Sequence, residues 1–398
     1  MVQTLLTPDM ITREALRVLH QKLRFVGSIN RQYDNSFAQE GAKIGSSLRI
    51  RLPNQYVIRT GRVMSAQETQ EQSVTLPVTN QAGVDLNFTS VERAMSLDDF
   101  STRILTPAMS TVAAYIESTV FNARYKDVYN LVDQDTVAAS FLTIMLGKQK
   151  LDDNLAPEDE QRVALLSTTH QVKMVDALKG LFQDPELIAK QYREGRMGTT
   201  AMFDFFQSTH VNDHTTGTAA KTTGYTVNGA TQSGSTITVQ TGTTTFNVGD
   251  VVTFAGAIRV HPETKVSTGA LQQFVITAAS GASATSLSIS PALTISGPYQ
   301  NVTGYPTNTG AVVKVGAGAS ELLNSSLVYH KDAFTFATAD LVMPEGVDFA
   351  AREVYDGISM RIVRAYDINQ DTFPCRVDVL FGSATLRAQL AARLHADG

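Results

Sequence analysis

The chain of 398 residues has one cysteine, Cys375, so no disulfide can close within it and every element must be held by non-covalent contacts. A lone thiol fits folding in a reducing cytoplasm. Long hydrophobic runs are missing as well. No window approaches about 18 consecutive apolar residues, which excludes a membrane-spanning helix. The opening MVQTLLTPDMITREAL lacks the basic start and apolar run of a secretion signal. Nor is there an excess of positive charge: Lys and Arg total 33 against 38 Asp and Glu, a net charge of -5. Tight nucleic-acid binding needs clustered Lys and Arg to neutralise phosphate, so gripping nucleic acid is not the main task, although the protein can still surround it. What remains, at 43% hydrophobic and 18% charged residues, is an ordinary globular composition with length for more than one domain.

The first pattern is a long polar hairpin, Gly45 to Ser90, followed by a long amphipathic helix. Leu48, Ile50 and Leu52 alternate with Ser47, Arg49 and Arg51, the two-residue period of a half-buried strand. Val74, Leu76 and Val78 repeat it, as do Val84, Leu86 and Phe88, which predicts three strands. Between them Gly61 to Glu71 (GRVMSAQETQE) reads as an exposed tip with few large apolar residues. A hairpin of this kind cannot bury much of itself in its own subunit, so it is expected to dock on a neighbour through Arg59, Arg62, Met64, Gln67, Glu68 and Glu71.

The helix after it is expected to start near Asp98, with Ser96 as cap and acidic first-turn charge. Ile104, Leu105, Ala108, Met109, Val112, Ala113, Ile116 and Val120 follow at steps of three and four, the stripe of a helix packed on one face. About 25 residues would span roughly 38 Å, the length of a strut. Its core is predicted at Ile104, Leu105, Met109, Val112, Ile116 and Val120. An N-terminal helix is predicted from Thr7-Pro8-Asp9, where Pro suits the first helical position. Ile11, Ala15, Leu16, Leu19 and Leu23 line one face, and Arg13, Arg17, Lys22 and Arg24 decorate the rest. Two readings stay open for it: packing on its own subunit, or docking on a partner.

Further on, Asp135 to Lys150 is predicted as a helix with Val137, Phe141, Leu142, Met145 and Leu146 inward, followed by a solvated acidic linker, Lys150 to Arg162. That linker lacks the glycine a calcium loop needs at its sharp turn. Arg162 to Ser167 reads as a buried strand, and Thr168 or Thr169 caps a helix through Leu178 that ends at Gly180. A strand and helix in alternation imply a mixed domain. Composition then changes sharply: between Thr215 and Val313 the only charged residues are Lys221, Asp250, Arg259, Glu263 and Lys265. Short runs such as Thr236 to Gln240, Val251 to Phe254, Phe274 to Thr277 and Ser286 to Ile289 predict a small β-barrel, inserted between stretches of α/β character. Ala333 to Phe336, Ser359 to Ala365 and Arg376 to Phe381 read as strands, with a turn at Asp367 to Asp371 and a closing helix, Leu386 to Leu394.

Catalytic constellations fail on spacing. His210 and His214 sit four apart, but Val211 stands where a metalloprotease carries its glutamate, and the Thr- and Gly-rich surroundings favour a polar loop. Gly316, Gly318 and Ser320 faintly resemble a phosphate cradle without the lysine that completes one, and read as a flexible junction. Cys375 follows Pro374 in a strand-like run and reads as a buried structural thiol. No catalytic residue, metal ligand or cofactor site is predicted.

The run Ala42 to Pro53 (AKIGSSLRIRLP), the polar hairpin and Asn87 to Val120 resemble the extended loop and spine helix of tailed-bacteriophage major capsid proteins. More narrowly, the chain resembles the coat-protein family of short-tailed Salmonella phages, through Tyr192 to Ser208, Val248 to Ala257 and Ser359 to Leu394, with Asp378-Val379-Leu380-Phe381-Gly382 near its end. The resemblance implies an α+β tailed-phage capsid fold carrying an inserted all-β barrel. Residues 1–44 would be an N-terminal arm, 45–92 the extended loop, 93–134 the spine helix of a peripheral domain, 135–221 the first part of an axial domain, 222–316 the barrel, and 317–398 the return to both. It implies a major capsid protein that assembles as pentamers and hexamers into an icosahedral procapsid on a scaffolding protein, with a portal, and encloses double-stranded DNA in the host cytoplasm. The N-terminal arm, through Arg13, Arg17, Lys22 and Arg24, is the expected scaffold contact. Some phage capsids join a loop lysine to a neighbour's asparagine, but no lysine lies between Lys43 and Lys126, so no covalent link through this loop is expected. A tail or decoration protein, or remotely a metal-dependent hydrolase using His210, His214 and Asp213, are the competing readings.

Overall fold

The computed structural model describes residues 8–33, 47–59, 61–64, 66, 68, 71–88, 104–178, 199–211, 213–316, 318–347, 349–355, 357–368 and 372–397. Along the chain, helices α1 (Pro8–Lys22) and α2 (Phe25–Ser28) precede β1 (Asn30–Tyr33), β2 (Ser47–Arg51), β3 (Ser73–Pro77) and β4 (Asn80–Phe88). Then come α3 (Thr106–Tyr125), β5 (Leu131–Ala138), α4 (Phe141–Asp152), β6 (Arg162–Leu166), α5 (Thr168–Leu178), β7 (Thr199–Thr200), β8 (Phe203–Gln207) and β9 (His214–Thr215). Six strands follow: β10 (Thr222–Val227), β11 (Gly234–Gln240), β12 (Val251–Val260), β13 (Ser267–Ile276), β14 (Ser286–Leu293) and β15 (Ala311–Lys314). The chain closes with β16 (Leu322–Leu323), β17 (Ser326–His330), β18 (Phe334–Ala339), β19 (Phe349–Tyr355), β20 (Ile358–Arg364), β21 (Phe373–Thr385) and β22 (Ala391–Asp397).

The chain divides into two compact units. One comprises residues 1–51, 73–121 and 334–386. Its sheet runs β1-β18-β21-β20-β19, with β4 added antiparallel along β21, Asn80 opposite Phe381 through Phe88 opposite Phe373. The third strand expected in the hairpin therefore belongs to this sheet. The hairpin ladder is β2 with β3, in register from Ser47–Pro77 to Arg51–Ser73. In α3, Met109, Val112, Ile116 and Val120 are buried; just before its start Leu105 is buried and Ile104 half-buried. The helix has 20 residues, about 30 Å at 1.5 Å per residue. The expected start at Ser96 and Asp98 lies outside the described residues.

The other unit comprises residues 52–72, 122–333 and 387–398. Its mixed sheet is ordered β5-β22-β17-β6-β8-β7. All five residues of β6 are buried, as a strand covered on both faces requires. The predicted closing helix is instead a short 3-10 turn, Ala388–Leu390, and the strand β22, parallel to β5 and antiparallel to β17. Ala391 to Ala396 are buried without a break, so the run has no polar alternation that would have marked it as a strand.

The helix expected over Asp135 to Lys150 is split. Residues 131–138 form β5, Ser140 closes a capping box with Thr143, and α4 runs from Phe141 to Asp152. Its buried residues are Thr143, Ile144, Gly147 and Leu151, whereas Val137, Leu142 and Met145 are exposed. A Cβ on Gly147 would come within 2.8 Å of Val328 and 2.9 Å of Leu394. The helix thus meets the sheet through its smallest residue, and closest approach, not the richest apolar stripe, sets the inward face. In α5 the cap is Ser167, whose Oγ accepts the His170 N–H at 3.3 Å, one residue before the expected Thr168. The predicted end at Gly180 lies outside the described residues.

The barrel closes in the order β10-β11-β14-β13-β12-β15. Phe254 and Phe274 meet inside it at 5.6 Å, as do Tyr225 and Phe246. Its first and last strands pair with each other, Thr222 opposite Val313 and Thr226 opposite Ala311. The chain therefore enters and leaves side by side, the arrangement that lets a domain be inserted without distorting its host.

Candidate assembly interface

The base of the hairpin is not held from outside. Leu76 and Val78 are buried, and Leu48, Ile50 and Val74 pack in the same cluster against Ala337, Ala339, Leu341, Leu380 and Ala384 of the sheet in their own unit. At about 1.5–3 kcal/mol for each fully buried aliphatic side chain, this anchors the two legs. The expectation that the hairpin buries little in its own subunit is thus corrected for its base: one face of the β2–β3 ladder is apolar and already covered. Leu52 N–H adds one pair beyond the ladder, donating to Gln72 O at 2.8 Å.

The tip is different. Tyr56 is 60% exposed, Ile58 85%, Val63 83% and Met64 82%. The tip is therefore richer in exposed apolar side chains than the polar stretch Gly61 to Glu71 implies: Tyr56 and Ile58 precede that stretch, and Val63 lies within it beside Met64. Arg62, Glu68 and Glu71 are exposed, and Gln67 lies outside the described residues. Arg59 is exposed too, but its guanidinium folds back to donate to the carbonyl oxygens of Gly61 and Val63, the latter at 2.9 Å. It braces the turn in which Gly61 takes φ +97°, a conformation that glycine tolerates.

At the N-terminus, Ala15, Leu16, Val18 and Leu19 are buried, and α1 packs against β19 of the same chain. Its basic residues lie on the exposed side: Arg13 donates from Nε to Glu353 Oε1 at 3.1 Å, Arg17 pairs with Glu14 at 2.6 Å, and Lys22 is exposed, as is Arg24 two residues beyond the helix. The apolar face is covered within the chain, and the exposed face carries the basic side chains, two of them paired with Glu353 and Glu14.

The residues weighed for chemistry serve structure. His214 lies in β9, buried, with Nε2 at 2.9 Å from Asp250 Oδ1; Asp250 Oδ2 in turn accepts the N–H groups of Asn247 and Gly217. His210 and His214 thus do not share a helical face. The Gly-rich junction has its amides taken by carboxylates, Gly316 N–H by Asp133 and Gly318 N–H by Glu321, while buried Lys314 donates to Thr216 Oγ1 and Gly318 O. The acidic stretch is not simply solvated: Asp152 accepts from fully buried Arg162 at 2.7 Å, Asp153 from Arg259 at 2.8 Å, and Asp159 faces His330 at 3.0 Å. Among the described residues no group of three metal-ligating side chains comes together. Cys375 is buried in β21, and burial pushes its thiol up to about 11.

No curated protein sequence matches the chain. Solved structures similar to it include Mycobacterium phage Che8 (10% identity, TM-score 0.45, covering 93% of this chain and 90% of that one). The mature capsid of bacteriophage PhiM1 (9% identity, TM-score 0.44, 94% and 87%) and the capsid of an empty GTA particle (9% identity, TM-score 0.43, 94% and 92%) are similar in the same degree. The family model described as P22 coat protein, gene protein 5, matches residues 27–392. With nearly the whole length matched, the chain belongs to the P22 coat protein family and is a major capsid protein of an icosahedral phage head.

Proposed function

We propose that the hairpin tip, residues 52–72, docks on a second copy of the chain and that this contact joins subunits into the pentamers and hexamers of the shell. The observation that carries the reading is the contrast along the hairpin: Leu48, Ile50, Val74 and Leu76 tie the base to its own sheet, while Tyr56, Ile58, Val63 and Met64 stay in water. Exposed apolar side chains gathered on a reaching element mark a surface meant for a partner. Arg62, Met64, Gln67, Glu68 and Glu71 are assigned to that contact, and Arg59 to the turn that presents it. The basic face of α1, with Arg13, Arg17 and Lys22, together with Arg24 just beyond its end, contacts a scaffolding protein. The shell assembles in the host cytoplasm, takes a portal and encloses double-stranded DNA without gripping it, consistent with a net charge of -5. Its work is structural and not catalytic.

Many modest contacts suit this task. An interface of about 2,000 Å² gains much at roughly 25 cal/mol/Å², but association and ordering costs remove most of it. On a closed lattice the surviving contacts add by multivalency, while a misplaced subunit can still leave. The test is electron microscopy of the expressed chain with and without its scaffolding protein. Closed shells in the presence of scaffold support the reading, and strictly monomeric protein at high concentration with scaffold contradicts it.

A further inference from the structure

Glu117 lies on α3 with 2% of its surface exposed, and its carboxylate accepts three successive backbone N–H groups from the N-terminal segment. Arg24 N–H and Val26 N–H (3.3 Å) donate to Oε1, and Phe25 N–H donates to Oε2 at 3.0 Å. These amides open α2, and the residue at its entry, Arg24, supplies no capping side chain. The first N–H groups of a helix have no partner inside it, so a carboxylate from a distant helix does the work of a cap. The segment it holds is packed in apolar surroundings: Phe25 and Val26 are fully buried, and the Phe25 ring lies 5.4 Å from Phe121 of α3 and 5.6 Å from Phe334 of β18. None of these titrates; among the described residues the charged group acting on the carboxylate is Arg24, at the entry to α2.

We propose that Glu117 is a proton-dependent latch that seats the N-terminal segment on the spine helix, closed most firmly when its carboxyl is protonated and easier to open when it is charged.

A carboxylate taken out of water is destabilised unless donors replace its hydration. The three N–H groups do so in part, yet burial dominates and pushes the carboxyl from its ordinary 4.5 up to about 7. When the segment lifts away, Glu117 meets water and regains its ordinary acidity, so opening releases a proton at any pH between those values. The sign follows: a value raised in the closed state favours closure fully below pH 4.5, and the advantage fades as pH rises through 7. Alkali loosens the latch and acid tightens it. The interval corresponds to a change of roughly 300-fold in the opening constant. The segment held in this way follows directly after α1, so one carboxyl governs how firmly the arm is anchored. This rests on the geometry of Glu117 and not on what α1 binds, so its failure would leave the assembly reading untouched.

The experiment is hydrogen exchange on the full-length subunit, resolved at the amides of residues 24–26 and corrected for intrinsic rates, from about pH 5 to 9. Protection at those amides is expected to fall by about tenfold per pH unit below 7 and to level off above about 8, while the amides of β6 keep theirs. In Glu117→Gln the dependence on pH at 24–26 should vanish. Protection that is flat or rises with pH in the wild type, or the same slope in Glu117→Gln, overturns the proposal. Should the Gln variant fail to fold, the wild-type profile decides: a slope confined to 24–26 supports the latch, and a slope shared with β6 overturns it.

Discussion

Gly382 lies directly against Pro77: a Cβ placed on the glycine would come within 2.1 Å of the Pro77 carbonyl oxygen. The contact joins β21 to the end of β3, so the hairpin rests on the sheet backbone to backbone, with no room for a side chain between them. Gly382→Ala must push the hairpin base away from Ala384 and Leu380. Overpacking of this kind costs about 1–3 kcal/mol. Denaturant titration of the variant is expected to show that loss, and an unchanged midpoint would remove Gly382 from the account of how the base is held.

Ile116 is fully buried on α3. Ile116→Asp places an unpaired charge in the packed face of the spine helix, a change expected to remove at least about 4 kcal/mol of stability. The expected readout is loss of soluble protein on expression. Recovery of soluble, cooperatively melting subunits would show that this face is not core.

Arg59 and Arg62 look equivalent in the sequence and differ in the fold. Arg59 holds the Gly61 and Val63 carbonyls, whereas Arg62 is exposed. Charge reversal at either should spare the melting temperature and impair assembly, but only Arg59→Glu should also raise proteolysis within residues 58–64. Normal shell yield from Arg62→Glu would take that residue off the interface.

The Cys375 thiol, pushed by burial from an ordinary value near 9.0 up to about 11, should react slowly. The thiolate is the reactive form, so a disulfide reagent at pH 8 should leave native protein almost unlabelled and label it fully in denaturant. Because the unfolded thiol ionises first, this group's contribution to stability is complete below pH 9 and is lost as pH rises through 11. Prompt labelling of native protein at pH 8 would contradict the buried assignment.

Much of the fold is legible in the sequence alone, and each failure has its own physical cause. Ile50 and Leu76 announced a strand pair by alternation, and the poverty of charge from Thr215 to Val313 announced the barrel. The strand β22 was mistaken for a helix because both its faces are covered, which erases the two-residue period. The face of α4 was misjudged because Gly147, invisible in a hydrophobic pattern, sets the closest approach. Which partner covers Leu48 and Ile50 was unreadable for a third reason. Their neighbours, Ala337 and Leu380, are some 300 residues away in the chain, and local sequence does not encode such pairings. Glu117 escaped notice for the same reason, since its partners are backbone amides of residues 24–26.

The most direct measurement concerns the tip. Ile58 and Met64 are 85% and 82% exposed, so Ile58→Asp combined with Met64→Asp should leave the subunit folded, with a melting temperature within about 2 °C of the wild type, as for substitutions at sites of little packing. Mixed with scaffolding protein and viewed by electron microscopy, this variant is predicted to form no closed shells under conditions where the wild type does. Shells in normal number and size from the same folded variant would contradict the central claim that the tip is held by a neighbouring copy.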